Sequence, residues 1–361
     1  MVAHVRRRPP LDVAFVVPRS GPAGIFGPSC EACGTLAVEE INASGGLLGR
    51  EVRLRVVDGG RPPGEVAAEV GALVDAGLVH AVTGWHISAV RQEIAPVVSG
   101  RVPYVYTPLY EGGERTRGVF LAGETPDRQV LPALDWMGRE RGIRTWCVVG
   151  DDYVWPRVSA SAARGYARTM PEVTIVDEMF VPLGTEDFAP VLRRIDRSGA
   201  RGVLMFLVGS DAVRFNRAFA EAGLDAQLTR LSPLMEENML LGSGVDATHD
   251  LYASAGFFEA LPTASGLEFS LRYADRFGGQ APALNSLGES CYEGLVLLGR
   301  LVDGAGELST DALEHVGRSL VYDSPRGVVR LAGNHLLQSV HLAQADGLGF
   351  DVVARLSDAP A

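Results

Sequence analysis

Aromatic and hydroxyl side chains gather in two short runs of this sequence, Thr-Pro-Leu-Tyr-Glu-Gly at 107–112 and Asp-Asp-Tyr-Val-Trp-Pro at 151–156. Each run directly follows an apolar stretch typical of a buried strand, 102–106 in the first case and 146–149 in the second. In open α/β sheets, ligands bind beyond the carboxyl ends of the strands. Exposed tyrosine and tryptophan at these ends therefore indicate a pocket for a small molecule.

Two further residue pairs have the types needed for covalent or redox chemistry. His86 and Ser88 offer a base and a nucleophile, but no carboxylate that would orient the histidine is identifiable. Cys30 and Cys33 have the C-x-x-C spacing of some redox pairs, yet the pattern around them is that of an ordinary amphipathic helix. We therefore predict no catalytic residues. The alternative to a non-catalytic protein is an enzyme that depends on a serine or a cysteine.

The sequence gives no sign of a metal or a cofactor. A second cysteine pair that would complete a zinc site is missing, and lysine, which Schiff-base chemistry requires, does not occur. Five histidines show no metal-ligand spacing: His80, His249, His315, His335 and His341. We expect neither a metal site nor a cofactor.

Composition bounds the kind of molecule. The 361 residues, 47% hydrophobic and 21% charged, predict a folded protein of about two domains. The net charge is −11, and the basic residues are scattered apart from an arginine triplet at 6–8, so nucleic acid is not an expected partner.

The N-terminus bears on location. Residues 1–10 lack the apolar stretch of about 7–15 residues that a secretory signal contains. No apolar run approaches the length of about 20 residues needed to cross a bilayer. We expect a cytoplasmic protein, or a periplasmic or extracellular one if the given start is truncated.

The elements that must position these residues alternate between strand and helix patterns. A strand at 11–17 precedes a loop rich in glycine and proline at 18–28, and a helix follows from Ser29 until the glycines at 45–46. The alternation continues to the strand at 103–106 and then restarts. Such a βαβα order predicts parallel sheets with helices on both faces.

Five segments, in this order along the chain, resemble the type I periplasmic-binding-protein family: Glu-Glu-Ile-Asn-Ala-Ser-Gly-Gly at 39–46, Gly-Trp-His-Ile-Ser at 84–88, and the runs at 107–112, 150–157 and 182–188. Within that family the chain looks similar to the branch containing the short-chain amide sensor of amidase operons and the urea receptors of ABC transporters. The resemblance covers about 11–353.

The resemblance implies an α/β fold of two Rossmann-like lobes, each with a parallel sheet flanked by helices, joined by three crossovers near Gly123, Gly256 and Arg326. The expected lobe boundaries are 11–122 plus 258–325 for the first lobe and 123–256 plus 327–361 for the second. A ligand would lie in the cleft between the lobes, which close about the hinge.

The resemblance also implies the site residues. In the first lobe these are Trp85 as an apolar wall, with Ser88, Tyr106, Thr107 and Tyr110 as further contacts. In the second lobe they are Tyr153, Trp155, Gly209, Ser210, Asp211 and Glu236. The tyrosines have an alternative interpretation as half-buried structural residues. Trp155 replaces a smaller aromatic residue of other members.

By resemblance, the chain is a non-enzymatic protein that binds a small polar solute, which is amide-, urea- or amino-acid-like. The amino-acid branch uses an acidic residue for the ligand ammonium, a role that Asp211 would fill here. Because of the N-terminus we favour a sensor whose hinge closure signals to a cytoplasmic regulator. A solute receptor that docks on an ABC permease is the alternative. The sequence is compatible with a homodimer.

Overall fold

The computed structural model describes residues 8–170 and 173–358. Most of the arginine triplet, the N-terminal segment that bears on location, and residues 359–361 of the expected second lobe lie outside the described residues. None of the described helices combines the length and the apolar character needed to span a membrane.

The described residues form fifteen strands. In chain order they are β1 Leu11–Val17, β2 Val52–Asp58, β3 Ala81–Gly84, β4 Tyr104–Tyr106, β5 Val119–Leu121, β6 Thr145–Asp151, β7 Thr174–Val181, β8 Gly202–Phe206, β9 Thr229–Ser232, β10 Leu251–Ala255, β11 Val321–Ser324, β12 Gly327–Ala332, β13 His335–Leu337, β14 Val340–Asp346 and β15 Gly349–Ser357.

Eleven α-helices lie among these strands in the described chain. They are α1 Gly27–Ala43, α2 Pro63–Asp75, α3 Ser88–Val98, α4 Val130–Glu140, α5 Val154–Ala167, α6 Ala189–Arg197, α7 Ser210–Glu221, α8 Glu237–Ser243, α9 Ala264–Phe277, α10 Ser286–Ala305 and α11 Thr310–Gly317. A short 3-10 turn, Pro22–Phe26, leads into α1.

The strands build two sheets, one in each lobe. The first sheet has the order β11-β12-β13-β5-β4-β3-β1-β2, and the second has the order β15-β14-β10-β9-β8-β6-β7. The centre of each sheet is parallel, as the sequence predicted, whereas the strands from β11 to β13 and from β14 to β15 add antiparallel pairs at one edge. The molecule is thus a two-lobed α/β protein with mixed, mostly parallel sheets.

The chain passes between the sheets three times. The first two passages follow β5 and β10, near Gly123 and Gly256. The third lies between Leu337 and Val340, so the expected crossover near Arg326 is wrong and 327–337 belongs to the first sheet. The reason is the pairing of β13 with β5 through His335 and Leu121, a contact between distant segments that no local pattern signals.

Helix α10 shows how local sequence positions the first lobe. The Asn285 side chain caps its start by accepting the N–H groups of Leu287 and Gly288 at 3.0 and 2.8 Å. Its end is Gly306, whose φ of 70° is left-handed and suits glycine. Within the helix, a Cβ added to Gly294 would lie 2.4 Å from Cγ2 of Thr107, so glycine permits close packing against the sheet.

Candidate functional site

A small pocket lies between the lobes at the carboxyl ends of β3, β4 and β6. Its lining residues come from both lobes: Trp85, His86, Ile87, Ser88, Tyr106, Pro108 and Leu109 from the first, and Tyr153, Trp155 and Leu234 from the second. The cavity is about 10 Å³, which is room for about one water molecule. The lobes are therefore closed on each other in this structure.

The approach to α3 is shaped by Gly84, the last residue of β3. Its φ is 125°, and an added Cβ would lie 2.4 Å from the carbonyl oxygen of Val16, so a side chain is excluded. Ile87 stays extended and α3 begins at Ser88. The first N–H groups of a helix have no intrahelical acceptor, so this end of α3 presents donors and the positive end of its dipole at the pocket.

Ser88 and Tyr106 lie together in the pocket wall. Their hydroxyl oxygens are 3.4 Å apart, and the Tyr106 hydroxyl donates to the carbonyl oxygen of His86 at 2.9 Å. Burial raises the pKa of Tyr106 above its ordinary value, so the group stays a neutral phenol. The two hydroxyls form a polar patch in a wall that is otherwise apolar.

His86 is unsuited to act as a base. Its Nδ1 lies 3.1 Å from the carbonyl oxygen of Val16, which accepts only, so Nδ1 carries the proton. The hydroxyl of Tyr104 therefore donates to Nε2, at 2.5 Å. Burial lowers the pKa of His86 to about 3. A neutral, fully bonded imidazole does not activate Ser88, which argues against the serine-enzyme alternative.

Tyr110 and Thr107 lie next to the pocket but do not line it. The Arg91 guanidinium sits 5.0 Å from the ring centre of Tyr110 and 5.2 Å from that of Tyr106. Thr107 points the other way, because its hydroxyl accepts a hydrogen bond from Ser290 of α10 at 3.2 Å. Both residues support the first-lobe wall from behind.

The second lobe closes the pocket with Tyr153 and Trp155 at the start of α5. The Trp155 ring meets Phe206 of β8 edge to face, with ring centres 5.5 Å apart, and Tyr153 lies 6.3 Å away. Trp155 is buried, and Tyr153 is half-buried with its pKa raised by desolvation. This pair gives the second jaw a rigid aromatic surface.

Gly209, Ser210 and Asp211 contact other groups. Gly209 packs against Pro22 of the first lobe, and the Ser210 hydroxyl receives a weak bond from Arg214 at 3.4 Å. The Asp211 carboxylate accepts the Gly184 N–H at 2.6 Å and the Arg214 guanidinium at 3.0 Å. None of the three lines the pocket.

Asp211 also lies beside Asp151, at the end of β6. Burial raises the pKa of both carboxyl groups, and the charge of Asp211 raises that of Asp151 further. One oxygen of Asp151 accepts the N–H of Val208 at 2.7 Å. The pair therefore holds a proton, carried by Asp151, and joins the ends of β6 and β8 to α7.

Glu236 caps a helix. Its two carboxyl oxygens accept the N–H groups of Asn238 and Met239, each at 2.9 Å, at the start of α8. The side chain is fully buried, and desolvation raises its pKa to about 8. The residue fixes the second-lobe loop that carries Leu234 into the pocket.

All four cysteines are buried, without a disulfide. Burial raises the pKa of the Cys30 and Cys33 thiols well above the usual value, with Cys291 close to both. Cys30 donates to the carbonyl oxygen of Leu287 at 3.6 Å. Reactive thiols have lowered pKa values, so Cys30 and Cys33 behave as core residues. Among the described residues, no cluster of three or more His, Cys, Asp or Glu side chains is arranged to hold a metal.

Five lining residues escaped the sequence prediction: His86, Ile87, Pro108, Leu109 and Leu234. The first four are neighbours of predicted residues in the same strand-end loops, so extending the prediction to whole loops would have included them. Leu234 follows β9 as an ordinary apolar residue. Nothing in its local sequence marks it as facing the cleft.

The periplasmic binding protein family matches residues 10–349. Leu/Ile/Val-binding protein homolog 6 of Brucella melitensis is 24% identical, over 92% of this chain and 87% of the relative. The amino acid binding protein of Pseudomonas aeruginosa is 25% identical, over 58% of this chain and 57% of the relative.

Solved structures share the fold at low identity. A solute binding protein of an ABC transporter from Rhodopseudomonas palustris, in complex with p-hydroxybenzoic acid, has a TM-score of 0.88 and 19% identity, with 98% of each chain covered. The substrate binding protein LivJ from Streptococcus pneumoniae, in complex with isoleucine, has a TM-score of 0.82 and 16% identity, covering 95% of this chain and 99% of that one. With the family match along nearly its whole length, this chain belongs to the periplasmic binding protein family.

Proposed function

We propose that this protein binds a small solute between its lobes and closes over it without catalysis. One observation carries the proposal: Ser88 and Tyr106 of the first lobe line the same pocket as Tyr153 and Trp155 of the second. A ligand that contacts both lobes binds the closed form more tightly than the open form. It therefore shifts the population toward closure.

The size of the pocket fits a hinged mechanism. A cavity of about 10 Å³ admits no solute larger than about one water molecule, so the ligand enters while the lobes are apart. The three connections between the lobes supply the hinge. Closure then desolvates the ligand between aromatic walls.

The candidate ligands are the amide-, urea- or amino-acid-like solutes that the sequence predicted. The relatives called Leu/Ile/Val-binding fit the amino-acid class, and one solved neighbour that holds p-hydroxybenzoic acid adds a further class, the aromatic acids. A carbonyl or carboxylate oxygen is common to all of them. The start of α3, with the Ser88 hydroxyl, suits such an oxygen.

Two kinds of partner protein are candidates for recognising the closed form. An ABC permease would receive the ligand if the protein acts outside the membrane, in line with the transporter relatives. A cytoplasmic regulator would receive a signal if the protein acts inside, which the sequence led us to favour. Fractionation of the natural host, with antibody detection of the protein, separates the two roles by location.

Ligand-dependent stabilisation tests the binding proposal. The protein is screened by thermal shift against acetamide, urea, leucine, isoleucine and 4-hydroxybenzoate, because a ligand selective for the folded state raises the Tm. We expect a hit whose affinity falls in Ser88→Ala and is kept in Ser44→Ala, a serine exposed on another face. Turnover of any screened compound that requires Ser88 would overturn the proposal in favour of an enzyme.

A further inference from the structure

We infer that the ligand is an apolar carboxylic acid without an ammonium group, such as a branched aliphatic or aromatic monocarboxylate. The inference rests on the proposed function, since it names the solute class of the same pocket. It separates two ligand chemistries that the relatives leave side by side, the α-amino acids and the simple organic acids. Three features of the pocket carry it.

The first feature is the absence of an acidic side chain among the described residues that line the pocket. An α-amino acid brings an ammonium group, and burying that charge without a counter-charge is costly. His86 does not provide an opposite charge, because its buried imidazole is neutral. The lining therefore has nothing to compensate an ammonium.

Asp211 and Glu236 are already engaged, and the unpaired Oδ1 of Asp151 belongs to a carboxyl group whose pKa burial and the charge of Asp211 raise, so it is neutral. Asp211 binds the N–H of Gly184 and the Arg214 guanidinium. Asp151 accepts the N–H of Val208, and both oxygens of Glu236 cap α8. Releasing any of these carboxyl groups to meet an ammonium would leave backbone donors unpaired. The acidic residue that the amino-acid branch would require is thus missing from the pocket.

The second feature is a set of hydrogen-bond donors with no acceptor. The start of α3 presents N–H groups that precede its first intrahelical bonds, next to the Ser88 hydroxyl. The indole N–H of Trp85, a lining residue only 2% exposed, is buried and has no hydrogen-bond partner in the described chain. Buried donors are normally paired. A carboxylate supplies two acceptor oxygens and a negative charge that favours the helix N-terminus.

The third feature is the apolar remainder of the wall. Leu109 and Leu234 face the cleft from opposite lobes, and Trp155 completes it with an aromatic face. Such a surface stabilises a hydrocarbon body in proportion to the area removed from water. A carboxylate head at α3 with an aliphatic or aromatic body against these residues uses every part of the pocket.

A matched ligand set tests the inference on the intact protein by calorimetry and thermal shift. 4-Methylpentanoate, leucine and 4-methylpentanamide share one carbon body: leucine adds only the ammonium, and the amide removes only the charge. The same comparison is repeated with 3-phenylpropanoate and phenylalanine. We expect the acid of each set to bind, with the amino acid at least about tenfold weaker and the amide weaker than the acid.

The outcomes distinguish this inference from the proposed function. Leucine or phenylalanine binding as tightly as its acid, with loss in Ser88→Ala, would overturn the inference and leave solute binding intact. An amide that binds more tightly than its acid would do the same. Acids that bind equally well to wild type and Ser88→Ala overturn both the inference and the placement of the site. Ser44→Ala is the matched control throughout.

Discussion

The guanidinium group of Arg326 donates from Nη1 to the side-chain oxygen of Gln338 at 2.6 Å. The same nitrogen reaches the carbonyl oxygen of Ala122 at 3.2 Å, and Nε donates to Glu289 at 2.6 Å. Ala122 begins the first passage between the lobes and Gln338 lies in the third. Arg326 therefore ties two of the three hinge connections to the long helix α10.

The second passage joins the same group. A carboxylate oxygen of Glu124, 4.0 Å from the Arg326 guanidinium, accepts the N–H of Gly256 at 2.6 Å. All of these side chains are buried. The hinge is thus a charged, desolvated cluster, in which every connection has a fixed hydrogen-bond partner.

We expect Arg326→Met to lower the free energy of unfolding by about 3–5 kcal/mol, because it leaves buried carboxylates without their counter-charge. Urea denaturation measures the loss. Arg318→Met, at an exposed position, should change stability by less than about 0.5 kcal/mol. The double change Arg326→Met with Glu289→Leu should recover part of the loss. If the double change recovers no stability, the loss in Arg326→Met does not come from the broken ion pair with Glu289.

Gly209 of the second lobe approaches the backbone of Pro22 in the first lobe closely. An added Cβ at Gly209 would lie 2.1 Å from the Pro22 carbonyl oxygen, and its φ of 53° is left-handed. We expect Gly209→Val to keep the lobes apart, weakening ligand binding although the residue is outside the pocket lining. Small-angle scattering should show that added ligand no longer reduces the radius of gyration. Gly165→Ala, where a Cβ meets nothing within 4 Å, should close normally.

Trp155 contributes to both stability and binding. Trp155→Ala should cost about 3–5 kcal/mol of unfolding free energy, because the ring is buried against Phe206. It should also weaken the binding of an apolar ligand, whereas Trp136→Ala, at a residue that packs against Tyr252 and does not line the pocket, should lower stability alone. Equal affinity in the two variants would contradict a wall role for Trp155.

Glu236 makes stability depend on pH. Burial raises its folded-state pKa to about 8, above the ordinary value of about 4.3. The folded form therefore holds a proton that the unfolded form has lost, and this contribution to stability declines as pH rises from about 4.3 to about 8. Urea denaturation across that window should show a smaller decline in Glu236→Gln than in wild type. An unchanged pH slope in the variant would contradict the shift, and Glu221→Gln, at an exposed position, is the control.

Local patterns predicted the strand and helix order and the parallel centres of both sheets because apolar periodicity is a short-range property. The family resemblance, not local pattern, named Trp85, Ser88 and Trp155, and all three line the pocket. Local patterns did not place β12 and β13 in the first sheet, because that assignment depends on the long-range pairing of His335 with Leu121.

The direction of side chains was harder to predict than their position. Thr107 is the first residue after β4. Its side chain nevertheless points toward Ser290, because Gly294 of α10 leaves space there. Asp211 stands at a strand end, as expected of a ligand contact, but Arg214 and Gly184 occupy its oxygens. Such competition among neighbours is set by tertiary packing, which a single sequence does not display.

The late return of the chain to the first sheet has a consequence for biosynthesis. Strands β12 and β13 complete that sheet only after the parallel centre of the second sheet has already been translated. During N-to-C synthesis one edge of β5 therefore stays unpaired until residues 122–334, more than half of the chain, have been translated. The two lobes are separate bodies in the finished molecule, but on the ribosome the first sheet is completed only after most of the second has been translated.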